Sequence, residues 1–370
     1  MSPVFGPGIE RYGLPVRLPL APGDKIMDRF LSAVALGAGA ASGEDEPMIT
    51  PEDAALHTPT SDDPTWAETN FFGFYVPELN LNCGVYGLFR PNIGVALSTI
   101  CLNSKRAYTH WEADYCDMQV HLPMGPDFDL LDYRLQNGLH VRAIEPNMVY
   151  EVDFDDGEDT SIHFSYRALM PPFDIHDPEQ DPMVAAASAG SDFSWGTAYN
   201  GHFDQTGAFE GEIVLRGRRI PFSCVSTIDH SWGPRSERHA HEMSWLHAHF
   251  SEDLAIHGIF DFDMADGGTE LRLTHGYVLD HGEIQGLKAG TGKTTRRGHF
   301  PEEKVIEVTD RRDQTWTLRG QALTAFPWLA WPNVTGFNAL MRWEDQRGRS
   351  AMGETQDFYG LQALTALGRS

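Results

Sequence analysis

GEIVLRGRRIPFSCVSTIDHSWGPR, residues 211–235, is the stretch whose reading decides the fold. Side chains in a strand alternate between faces, so two short apolar or alternating runs, 211–215 and 220–227, flanking Arg216-Gly217-Arg218 read as a strand pair. The second run leads into Asp229-His230-Ser231-Trp232-Gly233-Pro234-Arg235, which packs an acid, an imidazole, an indole and a guanidinium into seven residues. A plain turn does not need that chemistry. Gly233-Pro234 is expected to force the turn to the next strand.

The same texture extends in both directions. Upstream, residues 71–76, 84–89, 95–102, 117–122, 139–143, 148–154 and 161–169 are short runs bounded by Gly, Pro, Asn and Asp. Downstream it resumes at 201–205, 243–250, 255–264, 271–279, 305–309, 315–318 and 338–343, and 353–362 reads as a closing strand. Many short strands at this spacing predict an all-β chain of antiparallel sandwiches or barrels. GLKAGTGKTT, 286–295, fails the phosphate-loop spacing because Leu287 stands where the first Gly belongs, and it reads as a basic hairpin loop.

At 370 residues the chain has room for two domains. Residues 1–65 read as an N-terminal extension, with a short helix over 24–36 and an acidic loop over 37–65; β domains follow at 66–188 and 189–370, the latter carrying the Asp-His-Ser-Trp-Gly motif. Acidic residues number 53 against 28 basic, a net charge of -25 that repels phosphate backbones, so nucleic acid is excluded as a partner. No apolar run is long enough to cross a bilayer, and no secretory leader is visible, so membrane insertion is not expected and a cytoplasmic location is. The four cysteines lack paired spacing and are expected as reduced thiols. Neither GxSxG nor a strand-linked GxGxxG occurs, which removes serine-hydrolase and dinucleotide readings.

The DHSWGPR string, the strand pair before it and the Trp-rich strand after it resemble the lipocalin-like family of carotenoid 1,2-hydratase, AttH and kievitone hydratase. TWAETNFFGFYVPELNLNCGVYGLFRPN, 65–92, is similar to the opening of that group's domain-of-unknown-function branch. The resemblance implies two lipocalin-like β domains, a site near their junction that includes His230 and Trp232, and addition or removal of water, or cyclisation, on apolar metabolites. In those relatives a tyrosine and an acid two residues apart complete the site. Asp261 is the matching acid here, Ile259 stands where the tyrosine would, and Tyr277 is a phenol on the next strand.

The expected catalytic set is therefore His230, Asp229 as its orienting partner, Asp261, and His257 on the same strand face as Asp261. Trp232, Arg235, Trp245, His247 and Tyr277 are the expected substrate-binding residues. A carboxyl desolvated by aromatic walls stays protonated near neutrality and serves as a general acid. The reaction expected is a cofactor-independent lyase reaction of hydratase or dehydratase type on a small hydrophobic terpenoid, polyketide or aromatic substrate. An isomerase or cyclase and a non-catalytic carrier are the alternatives, and a homodimer is a candidate assembly. No cofactor and no metal are assigned, although His239-x-His241 and His247-x-His249, with His257 and His275 beyond them, form a pattern that suits a metal. The aromatic run 326–332 reads as core or as a pocket wall.

Overall fold

Residues 49–183, 200–235 and 242–367 are described by the structure, a computed structural model of the chain. The expected helix over 24–36, the first part of the acidic loop and most of the interval around residue 188 lie outside them. Period-two burial marks the strands plainly: Ser161–Ala168 alternates buried Ile162, Phe164, Tyr166 and Ala168 with outward polar residues.

The strands of the first sheet are β1 (Trp66–Val76), β2 (Leu81–Arg90), β3 (Val95–Asn103), β4 (Tyr115–Pro123), β5 (Asp132–Arg134), β6 (Leu139–Glu145), β7 (Val149–Asp155), β8 (Ser161–Ala168), β9 (Phe173–Asp174), β10 (Gly201–Leu215) and β11 (Arg218–Pro234). Their order is β4-β3-β2-β1-β11-β10-β8-β7-β6-β5, with β9 beside β10. The second sheet holds β12 (Met243–Ser251), β13 (Leu254–Asp261), β14 (Glu270–Asp280), β15 (Glu283–Arg297), β16 (Phe300–Asp310), β17 (Thr315–Ala322), β18 (Phe326–Trp331), β19 (Val334–Asp345) and β20 (Ser350–Gly360), and a short helix, α1 (Leu361–Leu367), follows. Its order is β17-β16-β15-β14-β13-β12-β20-β19-β18. β17 also pairs with β19, which closes eight strands into a barrel. Closure removes the unpaired edges that an open sheet exposes.

Local chemistry sets the turns. β1 and β2 are joined by Pro77–Leu79 and Asn80, and β2 and β3 by Pro91–Ile93 and Gly94. Proline fixes the first helical turn, and the left-handed Asn80 (φ 49) or Gly94 (φ 65) reverses the chain.

Among the described residues three large apolar clusters and two small ones hold the structure. Phe209 and Phe222 stack on Phe74 inside the first sheet with Phe164 tilted against it, and Trp316, Leu318 and Trp343 pack inside the barrel. A third cluster joins Phe71, Tyr86 and Leu88 of the first sheet to Trp245, Trp328 and Phe358 of the second. Each large aromatic buried in this way contributes about 2 to 3 kcal/mol of hydrophobic stabilisation, which fastens the two sheets along a seam.

Three expectations change. A cut after residue 188 assigns residues 201–234 to the C-terminal half, whereas β10 pairs with β8 and β11 with β1, so the motif strand belongs to the first sheet. Gly233-Pro234 makes no turn: Trp66 pairs with Pro234 and Ala67 with Gly233, and the strand runs through the motif. Residues 286–295 are not a hairpin loop but the middle of β15, paired to β14 and β16. An added Cβ at Gly290 or Gly292 would lie 2.8 Å from a side-chain carbon of Val308 or Ile306, so these glycines serve the close approach of β16.

Candidate functional site

Strand alternation sorts the motif. Asp229, Ser231 and Arg235 look into a cavity at the seam between the sheets, while His230 and Trp232 occupy the opposite face of β11. The apolar wall of the cavity is Phe71, Tyr86, Trp245, Trp328, Trp331 and Phe358. Its polar groups come chiefly from β10 and β11: His202, Asp229, Ser231 and Arg235. Arg235 donates from Nη2 to Ser231 Oγ (2.7 Å), and its guanidinium lies 5.5 Å from the centre of the Trp331 ring. The positive group is thereby fixed against a flat apolar wall.

Two carboxyls near this wall have opposite environments. Burial, reinforced by the charge of Asp204, pushes Asp229 up to about 7 against the pull of His202 and Arg235, and its Oδ1 finds no hydrogen-bond partner among the described residues. Asp204, two residues from His202 on the same face of β10, is wholly buried. Trp245 Nε1–H donates to its Oδ1 (2.8 Å) and His202 Nε2 bonds its Oδ2 (3.0 Å). Burial alone would raise Asp204, but His257 and His202 outweigh it and hold the carboxyl well below the usual range. The same bond works in reverse on His202: burial opposes protonation, Asp204 outweighs burial, and the imidazole is raised.

Behind Asp204 lies a layer of buried polar groups. His257 Nε2 is 3.0 Å and His275 Nε2 3.6 Å from Asp204 Oδ2, and His275 Nδ1 bonds the carboxylate of Asp181. The Tyr277 hydroxyl bonds Thr206 Oγ1 (2.8 Å). His247 and His249 face each other at 3.2 Å, with His249 Nε2 on Thr227 Oγ1 (2.9 Å); burial drives His247 well below its ordinary value and His249 down to about 3, so both are neutral.

A smaller cavity shares Phe71, Tyr86 and Trp328 with the first. Glu354 lies on its wall, receives Asn82 Nδ2–H (2.7 Å), Asn338 Nδ2–H (3.1 Å) and Gln356 Nε2–H (2.9 Å), and is pushed up to about 7 by burial.

On the other face of β11, His230 Nε2–H donates to Glu68 Oε1 (2.8 Å) on β1. His57 reaches the same carboxylate with its ring Nδ1 (2.8 Å) and its backbone N–H (2.9 Å), and stacks on Trp232 at 3.8 Å between ring centres. His57 Nε2 lies 3.2 Å from Asp53 Oδ1. The described end of the acidic loop is thus strapped to β1 and β11.

The structure therefore divides the expected site. Asp229, Arg235 and Trp245 line the cavity; His230 and Trp232 belong to the Glu68 cluster, so Asp229 does not orient His230. His257 and Tyr277 sit in the layer behind the wall, and His247 pairs with His249. Asp261 lies at the end of β13, opposite Met243 and Arg272, and is absent from the cavity wall, where Ile259 stands. His239 and His241 lie outside the described residues; among the described residues three groups of donors converge, His57 with Glu68 and His230, His202 with Asp204 and Asp229, and Asp204 with His257 and His275, and neither His247 nor His249 belongs to any of them. His202 and Asp204 were not foreseen, although His-x-Asp within a predicted strand places both on one face. Trp328 and Trp331 of the aromatic run line the cavity. All four cysteines are free thiols.

The model of a family described as a domain of unknown function, DUF7064, matches residues 50–356. Among solved structures, the chain is similar to CghA (TM-score 0.52, 11% identity, covering 83% of this chain and 94% of that one) and to kievitone hydratase from Nectria haematococca (TM-score 0.50, 11% identity, 85% and 93%). CghA with Sch210972 gives the same TM-score of 0.52 over 84% of this chain and 95% of that one, at 11% identity. At this identity the likeness establishes the two-part all-β fold. A search of curated proteins finds no significant sequence match.

Proposed function

The chain belongs to the DUF7064 family, and from that premise we propose that it is a lyase of hydratase or dehydratase type acting on a hydrophobic, ring-bearing substrate held in the seam cavity. One observation carries the reading: Asp229 presents a carboxyl oxygen, without a partner among the described residues, to an aromatic cavity that it shares with His202. A carboxyl whose proton burial retains up to about neutral pH, beside an imidazole oriented by a second carboxylate, is an acid and base pair. The fold likeness to a protein named a hydratase agrees with it.

In the hydration direction Asp229 gives its proton to one carbon of a double bond. The electron-poor neighbouring carbon lies against Trp and Phe faces, each contributing about 1 to 2 kcal/mol of cation–π attraction. Water adds there and gives its surplus proton to His202, which Asp204 orients; return of that proton to the Asp229 carboxylate resets the site. Dehydration runs the same steps backwards. Arg235 and Ser231 hold an oxygen of the substrate.

The test is a panel of hydrophobic alkenes and alcohols incubated with the full chain and read by mass spectrometry for a gain or loss of water. Asp229→Asn and His202→Gln are each expected to lower turnover about 100-fold or more in a folded protein. Wild-type turnover in both variants overturns the assignment, and products of unchanged mass replace the lyase by an isomerase.

A further inference from the structure

We propose that Asp204, His257 and His275 form a binding site for one divalent transition-metal ion, with zinc the best fit. The proposal does not depend on the reaction proposed above, because it concerns what this buried cluster binds.

Distances make the first argument. Metal–donor bonds of about 2.0 to 2.1 Å at angles between about 90° and 120° place donor atoms about 3.0 to 3.6 Å apart. His257 Nε2 and His275 Nε2 stand 3.0 and 3.6 Å from Asp204 Oδ2, and all three donor atoms lie within 4.8 Å of one another.

The surroundings of each donor make the second. Asp181 takes the Nδ1–H of His275, which fixes the tautomer and turns the Nε2 lone pair toward the Asp204 carboxylate. Two electron-rich atoms then face each other inside the protein, and a cation between them reconciles the pair. A carboxylate holding the far nitrogen of a ligand histidine is the usual outer partner in metal sites. Trp245 occupies Asp204 Oδ1 and leaves Oδ2 to the cluster. His257 is wholly buried, yet neither ring nitrogen has a hydrogen bond of good geometry to a described residue. An imidazole so placed lacks a partner that a metal would supply.

Donor chemistry makes the third. Two imidazoles and one carboxylate suit zinc or iron(II), and three protein donors leave at least one position open. His202, bonded to the same Asp204 oxygen, stands between this cluster and the cavity.

The experiment reads metal rather than turnover. The full chain is stripped with a chelator, reconstituted with zinc chloride alone, passed through a desalting column and measured by plasma mass spectrometry. About one zinc per chain is expected, and cobalt(II) in its place should give visible d–d absorption. His275→Ala and His257→Ala should each lower the content below about 0.1 per chain, Asp181→Asn should weaken affinity about 10- to 100-fold, and His249→Ala should leave the content unchanged. Retention of less than about 0.1 equivalents of zinc, manganese, iron(II) and cobalt by the wild-type chain overturns the proposal whatever the variants do, and the cluster is then held together by protons.

Discussion

Asp229 and His230 share a peptide bond and face opposite sides of β11, the carboxyl toward the seam cavity and the imidazole 2.8 Å from Glu68 Oε1. One strand thus serves two clusters that do not touch through these side chains, and substitutions at the two positions should have different consequences.

At Asp229 the carboxyl is held against a burial penalty with one oxygen unpartnered among the described residues, so a neutral isostere relieves the penalty. Asp229→Asn is expected to raise stability by about 0.5 to 2 kcal/mol while turnover is lost, the usual trade between function and stability. Urea denaturation of both proteins at the same pH checks it; an unchanged or lower midpoint would count against the strained-acid reading.

At His230 the opposite holds. His230→Ala strips one donor from a wholly buried carboxylate, leaving Glu68 with His57 as its partner among the described residues. The expected cost is about 1 to 3 kcal/mol in the denaturation midpoint, with turnover retained once folding is corrected for. A selective loss of turnover without loss of stability would move the chemistry to the Glu68 cluster.

The strap over this cluster should respond to pH. Burial opposes the charge on His57, but Glu68 and Asp53 outweigh it, and with His230 as the remaining titratable neighbour the imidazole is raised above 6.5. Its contribution is complete below that value and is lost as pH rises through the raised folded value. Glu68 is lowered instead, because the bonds to His230 and His57 overcome burial, so its contribution is present above 4.5 and lost as pH falls through the lowered value. Hydrogen exchange of residues 49–65, corrected for intrinsic rate, should therefore accelerate above neutrality in the wild type, and His57→Gln should remove the pH dependence.

Gly201 makes room for the strap. A Cβ there would sit 2.0 Å from Trp232 Cζ2, inside the indole that stacks on His57. Gly201→Ala should cost about 1 to 3 kcal/mol by overpacking and shift the tryptophan emission. An unperturbed midpoint would show that the indole can move away freely.

Trp328 borders both cavities, so Trp328→Ala should merge them and cost about 3 to 5 kcal/mol. The merged space should admit larger apolar dyes, read by fluorescence titration against Trp328→Phe as the conservative control.

Much of the strand pattern was legible because period-two burial leaves its mark wherever one face is polar, as in β8. It failed in β15, where buried Gly292 and Thr294 are small and Lys288 and Lys293 are exposed, giving a stretch that looks like a loop until the side chains of β16 are seen filling the glycine gaps. The motif was visible as a concentration of chemistry, yet its internal geometry was misread because Gly233-Pro234 suggests a turn. Once β11 is known to continue to Pro234, alternation alone separates Asp229 from His230. Glu68 and His57 carry no signal of their own, since their partner lies across a long-range pairing. His202-x-Asp204 did carry one, and it was hidden by the brighter motif nearby.

That long-range pairing also governs how the chain reaches this state. β1 has β2 on one side from the outset, but its other edge is completed by β11, with Phe72 opposite Ile228 and Trp66 opposite Pro234. During synthesis the strand that carries Glu68 stays open along that edge until the motif itself has emerged. A ribosome stalled before residue 228 would display an apolar, unpaired ribbon, a substrate for chaperones and a seed for aggregation. Closing so distant a pair is slow, so the arrival of the motif strand is expected to set the pace of folding.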